Sequence, residues 1–385
     1  MDAATLVATS HASIDDLGAD EWNALSHGGV PFLRHEFLAA LEHSGAVSAA
    51  SGWQPAHLAV RSAGRLIAAM PLYAKQHSWG EFVFDFAWAN AYAQHGLAYY
   101  PKLVAATPFT PASGARLLTH PTFPAARDAL GAALEALAPA YSSLHVQFAT
   151  EDECAWLGAR GYLTRLDCQF HWHNRGYADF EAFLATFTAE KRKKARRERR
   201  RVAESGIRFQ WRDGDTLDPG EWQAVHALHA ATFHRHGHDP YLPVAFFLEA
   251  SRSSAICPRV LLAHAAGELV AVAIFFRGTE ALYGRYWGAS GDFHSLHFEA
   301  CYHQGIEYCI GAGLARFEPG TQGEHKIARG FAPTLTHSAH RIEDPRFRDA
   351  IRRYLASERD GVLAYAAEID RHLPFRAAGD LALDP

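Results

Sequence analysis

The sequence predicts an α/β chain built from two copies of one unit and joined by a basic helical segment. Its length, an internal repeat and a concentrated run of positive charge carry that prediction. With 385 residues the chain exceeds the roughly 100–200 residues of one domain, so two are expected. Hydrophobic residues make up 49% and charged residues 21%, which supports packed cores and excludes a disordered chain. The net charge of −5 hides a segregation: residues 190–201, EKRKKARRERRR, hold nine Lys or Arg and two Glu. That segment is +7, so the rest of the chain is −12.

The repeat is read first, because it fixes the architecture. Glu21-Trp22-Asn23-Ala24-Leu25 recurs as Glu221-Trp222-Gln223-Ala224-Val225, each opening an amphipathic helical stretch. PFLRHEFLAAL from Pro31 matches PYLPVAFFLEA from Pro240 in pattern. PAHLAVRSAGRLIAAMPLY from Pro55 then lies ungapped over PRVLLAHAAGELVAVAIFF from Pro258, with Gly64 and Gly267 where a turn between two apolar strands needs them. Near the end of each half VQFATEDECAWLGARGY from Val146 overlays ARFEPGTQGEHKIARGF from Ala315. Each half therefore reads helix, helix, strand hairpin, further strand, small-residue loop, helix, strand, helix, strand. In the second half the loop is Gly288-Ala289-Ser290-Gly291 and the helix runs from about Leu296 to Gly311; in the first half the loop is PFTPASGA. A small-residue loop entering a helix is an anion cradle, because unpaired backbone N–H groups point out of it.

That order resembles the GNAT (acyl-CoA N-acyltransferase) fold, in which such a loop holds the donor's pyrophosphate. Two tandem GNAT-like units with a basic helical insertion resemble the FemABX-like proteins, which pass an aminoacyl group from transfer RNA to an amine of a peptidoglycan precursor. PFTPASGARLL, GRYWGASGDFHSLHFEACYHQGIEYCI and FEPGTQGEHKIARGF are similar to the bacterial branch described as predicted N-acyltransferases or peptidoglycan biosynthesis proteins. The resemblance implies an N-acyltransferase whose co-substrate is acyl-CoA or aminoacyl-tRNA, with no permanently bound cofactor. It divides the chain into an N-terminal GNAT-like domain at 1–178, largely structural, a basic helical arm at 179–206, and a catalytic C-terminal domain at 207–385. Both loops only approximate the [QR]xxGx[GA] pattern of coenzyme A-using relatives.

The overlay of the two copies locates the expected chemistry. Glu318, Glu324, His325 and Lys326 face Ala149, Ala155, Trp156 and Leu157. A fold that tolerates Ala, Trp and Leu there does not need four ionisable groups for packing, and burying them unpaired would cost several kcal/mol. Acyl transfer to an amine needs a base, donors for the developing oxyanion and a grip on the donor's phosphates. Glu318, Glu324 and His325 are candidate bases. Lys326 is a candidate to polarise the carbonyl or hold a phosphate, and FemABX-like proteins carry a lysine at a comparable place. Gly320 and Gly323, with Gln322 between them, would bring the backbone close to the substrate. Arg285, Tyr286 and Trp287 on the preceding strand, Ser290 and Gly291 in the loop, and His297 and Glu299 on the next helix complete the expected substrate site. Strand alternation puts Arg285 and Trp287 on one face and Tyr286 on the other.

The basic segment is expected to form one helix from about Phe180 to Ser205, ended by Gly206. Nine cations in twelve residues require counter-anions, supplied by the acidic body or by a polyanion. Lys191, Arg192, Lys193, Lys194, Arg196 and Arg197 are the expected phosphate or transfer RNA contacts. No metal is expected: His297, Glu299, His303 and Glu307, and the run HRHGHDP from His234, follow no recognised ligand pattern. Five cysteines without a CxxC pair predict reduced thiols. The N-terminus carries no signal-peptide pattern and no long apolar run occurs, so a cytoplasmic protein without a transmembrane segment is expected. Two other readings stay open on the sequence: a non-catalytic binder of a cell-wall peptide or nucleic acid, and a metal hydrolase.

Overall fold

The chain crosses three times between its two units: residues 1–167 with 335–363 form one, and 168–334 with 364–385 the other. The computed structural model describes residues 6–321 and 323–376. In chain order the strands are β1 (Leu6–His11), β2 (Trp53–Pro55), β3 (His57–Ser62), β4 (Arg65–Met70), β5 (Leu72–Lys75), β6 (Lys102–Ala105), β7 (Leu118–Thr119), β8 (Ser143–Ala149), β9 (Leu163–His173), β10 (Arg208–Asp213), β11 (Arg259–Ala265), β12 (Glu268–Arg277), β13 (Ala281–Ala289), β14 (Arg316–Glu318) and β15 (Ala332–Ile342). The α-helices are α1 (Ala19–Asn23), α2 (His35–His43), α3 (Phe86–Gln94), α4 (Ala126–Leu137), α5 (Glu151–Ala159), α6 (Phe180–Ala185), α7 (Ala189–Glu204), α8 (Pro219–Arg235), α9 (Val244–Ala250), α10 (Leu296–Phe298), α11 (Gln304–Gly311) and α12 (Pro345–Asp370).

In the first unit, β1, β3, β4 and β7 form one antiparallel sheet. A second sheet joins β15, β8, β6, β5 and β2 in that order, and β6 and β8 run parallel, Ala105 opposite Val146 being their last pair. The parallel pair needs a crossover, which α4 supplies. Its core is aliphatic, with Leu130, Leu134, Leu144, Val146 and Leu157 fully buried. In the second unit the order is β10, β11, β12, β13, β14, completed by the last residues of β9, where His173 and Trp172 pair with Arg316 and Phe317. Here β13 and β14 are the parallel pair. Aromatics dominate this core, among them Trp172, Phe183, Phe275 and Phe317.

The repeated residues do the same work in each copy. Trp22 and Trp222 are both fully buried, and their indole N–H groups donate to the carbonyls of Leu33 at 2.8 Å and Gly214 at 2.9 Å. The turns at Ala63-Gly64 (φ 49°, 82°) and Ala266-Gly267 (φ 50°, 88°) have the two left-handed residues of a tight hairpin. Both hairpins also slip register at one offset, between Val60 and Arg61 and between Ala263 and His264.

One expectation is corrected. The segment 180–205 is not a single helix, because α6 and α7 are separated at Thr186–Thr188. Phe187 is fully buried and bridges to Phe375, so the backbone turns there to put that ring into the core. The basic helix α7 lies on the second unit through Ala195 and Val202, which are 4% and 2% exposed.

Candidate active site

The site begins where two parallel strands part. β13 and β14 pair through Ala281–Arg316, Leu282–Phe317 and Tyr283–Glu318; β14 ends there, while β13 continues to Ala289. A cavity of roughly 150 Å³ opens at the split, lined by Gly284, Arg285, Tyr286, Trp287, Pro319, His297, Cys301, Tyr302 and residues 273–275 of β12. A crevice beyond the ends of parallel strands is the usual ligand position in open α/β sheets.

Two local irregularities furnish it. Tyr286 pairs with Ile274 and Gly284 with Phe275, which leaves Arg285 as an extra residue in β13. That bulge breaks the expected strand alternation, and Arg285, Tyr286 and Trp287 all line the cavity. The predicted helix over 296–311 contains a π turn at Glu299–His303 between α10 and α11. The wider turn brings residues five apart together: the rings of His297 and Tyr302 lie 5.4 Å apart, both on the cavity wall. π turns cost helix regularity and concentrate at functional sites.

None of the predicted catalytic residues is itself a lining side chain; His325 and Lys326 lie behind the wall, next to its Tyr302 and Cys301. The Tyr302 hydroxyl is 2.7 Å from His325 Nε2, and burial with the charges of Lys326 and Arg329 lowers the His325 pKa. Lys326 is 1% exposed and its Nζ donates to the Gly320 carbonyl at 2.6 Å. Burial brings that amine down to about 7, opposed slightly by the Cys301 thiol on the cavity wall. Glu318 pairs with Arg316 at 2.8 Å, yet burial raises its carboxyl pKa, and its Oε2 is buried without a hydrogen-bond partner. Glu324 lies apart: it is exposed and accepts from the Tyr365 hydroxyl at 2.8 Å. His297 is pushed down to about 4, first by burial and then by His325, so it is a neutral imidazole at physiological pH.

The glycines have distinct reasons. Gly320 (φ 93°) turns its carbonyl to Lys326, and at Gly323 (φ 105°) a Cβ would stand 2.1 Å from the His325 ring. Gln322 lies outside the described residues. Ser290 and Gly291 follow β13, where Ser290 N donates back to the Val270 carbonyl at 2.9 Å. Gly288 is fixed by packing, since a Cβ would stand 2.1 Å from the Leu228 carbonyl oxygen of α8.

Glu299 does not face the cavity. With Glu307 it holds Arg199 of the basic helix, at 3.0 and 2.6 Å, while Glu198 pairs with Arg329 at 2.8 Å and Arg196 with Glu181 at 2.5 Å. The body thus supplies part of the counter-charge. Lys191, Lys193, Lys194, Arg197 and Arg200 have no ion-pair partner among the described residues, and Arg192 donates only to the Ala185 carbonyl at 3.5 Å. Beside this helix a groove of roughly 410 Å³ has Arg196, Arg199 and Arg200 on its wall and Val202, Ile207 and Phe209 as apolar lining. Among the described residues no three His, Cys, Asp or Glu side chains are grouped to hold a metal. No disulfide joins any of the five cysteines, and among the described residues no helix is long and apolar enough to cross a membrane.

Cys301, Tyr302 and Pro319 were not singled out from the sequence. Tyr302 was legible only through the π turn, which no 3.6-residue periodicity reveals. No sequence pattern marks a buried polar cluster in the first unit either: Lys102 Nζ donates to Ser78 at 2.8 Å, to Glu81 at 2.9 Å and to Asp85. His145 and His340 are bonded at 2.7 Å beside it.

No curated protein matches the sequence. Among solved structures, FemX is similar over 90% of this chain and 100% of its own, with 11% identity and a TM-score of 0.54. L-PGS from Bacillus licheniformis is similar over 83% of this chain and 96% of its own, with 12% identity and a TM-score of 0.51. A tandem GNAT protein from the clavulanic acid biosynthesis pathway covers 89% of this chain and 99% of its own, with 14% identity and a TM-score of 0.46. The family described by its role in peptidoglycan biosynthesis/recognition matches residues 13–377. With a family match over nearly the whole chain, this protein belongs to the FemAB-like family.

Proposed function

We propose that the chain is an N-acyltransferase that moves an acyl or aminoacyl group from an activated ester to an amine, with the second unit as the catalytic half and a cell-wall precursor as the acceptor. The observation that carries this reading is a buried amine, Lys326, held near neutrality with one carbonyl partner, behind the wall of a cavity that presents Arg285. Acyl transfer forms a C–N bond and breaks the ester bond, and the amine proton must leave as the oxyanion develops. Arg285 supplies positive charge for that oxyanion or for a donor phosphate. Neutral His325, reached through the Tyr302 hydroxyl, and half-deprotonated Lys326 are the groups able to take the proton near pH 7.

The donor reading favours transfer RNA over coenzyme A. Lys191, Lys193, Lys194, Arg197 and Arg200 have no ion-pair partner along α7 among the described residues, and this run of unpaired cations suits a polyanion, although Glu181 and Glu299 in the groove beside it pair with Arg196 and Arg199. The decisive experiment incubates purified protein with charged transfer RNA and, separately, with acyl-CoA, each with candidate amines, and follows loss of the ester. Turnover that Arg285→Gln and Lys326→Ala abolish with the fold intact is the expected result. Unchanged turnover in both variants refutes the catalytic assignment, and loss of affinity without any turnover in the parent protein favours a non-catalytic binder.

A further inference from the structure

The segment 77–86, HSWGEFVFDF, sorts its side chains inward and outward within the first unit. Ser78, Glu81 and Asp85 are 1%, 3% and 2% exposed, whereas Trp79 and Phe84 are 63% and 57% exposed. Inward, Lys102 binds all three polar side chains, and Lys75 Nζ donates to the Trp79 carbonyl at 3.3 Å. The backbone between them is held left-handed at Gly80 (φ 80°) and Phe82 (φ 62°), and a Cβ at Gly80 would stand 2.6 Å from the Phe109 ring. A fully buried lysine with two acids and a strained non-glycine residue are expensive features. Their joint effect is to fix this segment with its aromatic residues outward.

Outward, the rings form a row. Trp79 lies 5.4 Å from Phe86, and Phe86 stacks 6.0 Å from Phe84. The Phe84 carbonyl accepts from Arg165 at 2.8 Å, Arg165 pairs with Glu358 of α12 at 2.7 Å, and Glu358 accepts from the Tyr354 hydroxyl at 2.9 Å. Tyr354 is 50% exposed, so this chain of hydrogen bonds ties one more exposed ring to the segment. Arg353 and Arg359, adjacent in sequence to Tyr354 and Glu358, are exposed and have no partner among the described residues. Residues 345–363 of that helix hold five arginines against three acids.

We propose that this row is a docking surface for an anionic phospholipid bilayer. Trp79 and Phe84 are more than half exposed and Tyr354 is half exposed, which suits a yielding surface better than a shaped ligand. Trp, Tyr and Phe settle at the headgroup level of a bilayer, and unpaired arginines beside them match anionic headgroups. The proposal does not depend on the transferase reading.

The test is co-sedimentation of the full chain with phosphatidylcholine vesicles, with and without about a third phosphatidylglycerol. The protein is expected to sediment with the anionic vesicles and to be released by salt. Trp79→Ala with Phe84→Ala should weaken binding at least ten-fold while leaving thermal unfolding unchanged, because neither ring is buried. Arg353→Gln with Arg359→Gln should remove the preference for anionic vesicles. A parent protein that stays in the supernatant, or aromatic variants that bind like the parent, overturns the proposal. A lipid-free dimer dissolved by Phe84→Ala would assign the surface to a second copy and equally overturn it, as would retention on a soluble glycan without vesicle binding.

Discussion

Replacing Lys326 by leucine gives the second unit the residue that its twin carries at position 157, where Leu157 is fully buried. Burial takes the Lys326 amine from its ordinary 10.5 to about 7, a difference of roughly 3.5 units that corresponds to about 5 kcal/mol. The sign follows from proton counting. Between pH 7 and 10.5 the unfolded chain keeps a proton on this lysine that the folded chain has released, so parent stability rises with pH across that window. The destabilisation is complete below pH 7 and vanishes near pH 10.5. Leucine has no proton to lose, so its advantage is greatest at pH 6–7 and shrinks steadily above. The hydrogen bond to Gly320 is forfeited, which costs about 1 kcal/mol, and the shape change takes more, leaving a net gain of about 2–3 kcal/mol at pH 6. Urea unfolding of parent and variant at pH 6, 8 and 9.5 measures this, alongside turnover, which should fall at least 100-fold if Lys326 handles a proton or a phosphate. A variant less stable than the parent at pH 6, or a stability difference that does not change with pH, would refute the claim that Lys326 is a desolvated amine.

Tyr302→Phe removes the hydroxyl that reaches His325 and should lower kcat about ten-fold to 100-fold with little change in KM. A KM effect alone would make Tyr302 a binding group. Gly288→Ala places a Cβ 2.1 Å from the Leu228 carbonyl oxygen, and since backbone must move, a loss of about 3 kcal/mol is expected in thermal unfolding. Arg199→Ala leaves Glu299, 5% exposed, without its cation; a loss of about 2–3 kcal/mol follows, whereas Lys193→Glu with Lys194→Glu should leave stability within about 0.5 kcal/mol. The same lysine variant should abolish protection of α7 from protease by charged transfer RNA, and retained protection would move the RNA contact elsewhere.

How far the sequence could be read depended on whether the signal was periodic. The duplicated Trp22 and Trp222, the glycines at 64 and 267, and the junction after β14 are local patterns, and copies of one unit repeat them at matching places. The bulge at Arg285 was not legible, because a strand of alternating aromatics looks the same with or without one extra residue. Nor was the π turn that sets Tyr302 beside His297, since it is defined by a five-residue spacing in an otherwise ordinary helix. The break before α7 arose from one buried ring, Phe187, whose partner Phe375 lies nearly two hundred residues away. Lys102 and its partners Ser78, Glu81 and Asp85 are scattered over a segment without periodicity. Only the folded chain shows them to be one cluster.

The two units also differ where their parallel strands part. In the first, β6 ends at Ala105, the last residue paired with β8, and the chain then turns inward: residues 106–112 are buried throughout, with Phe109 in a left-handed conformation. In the second, β13 runs six residues beyond Tyr283, its last residue paired with β14, so a strand edge instead of a loop borders the split, and a cavity remains. Where one copy uses Leu157 and Ala149 as core, the other buries Lys326 and Glu318 without either lining the cavity. Buried ionisable groups without full pairing cost stability wherever they occur. In the second unit that cost accompanies room for a substrate, and this conjunction, more than the presence of any single residue, is what places the proposed chemistry there.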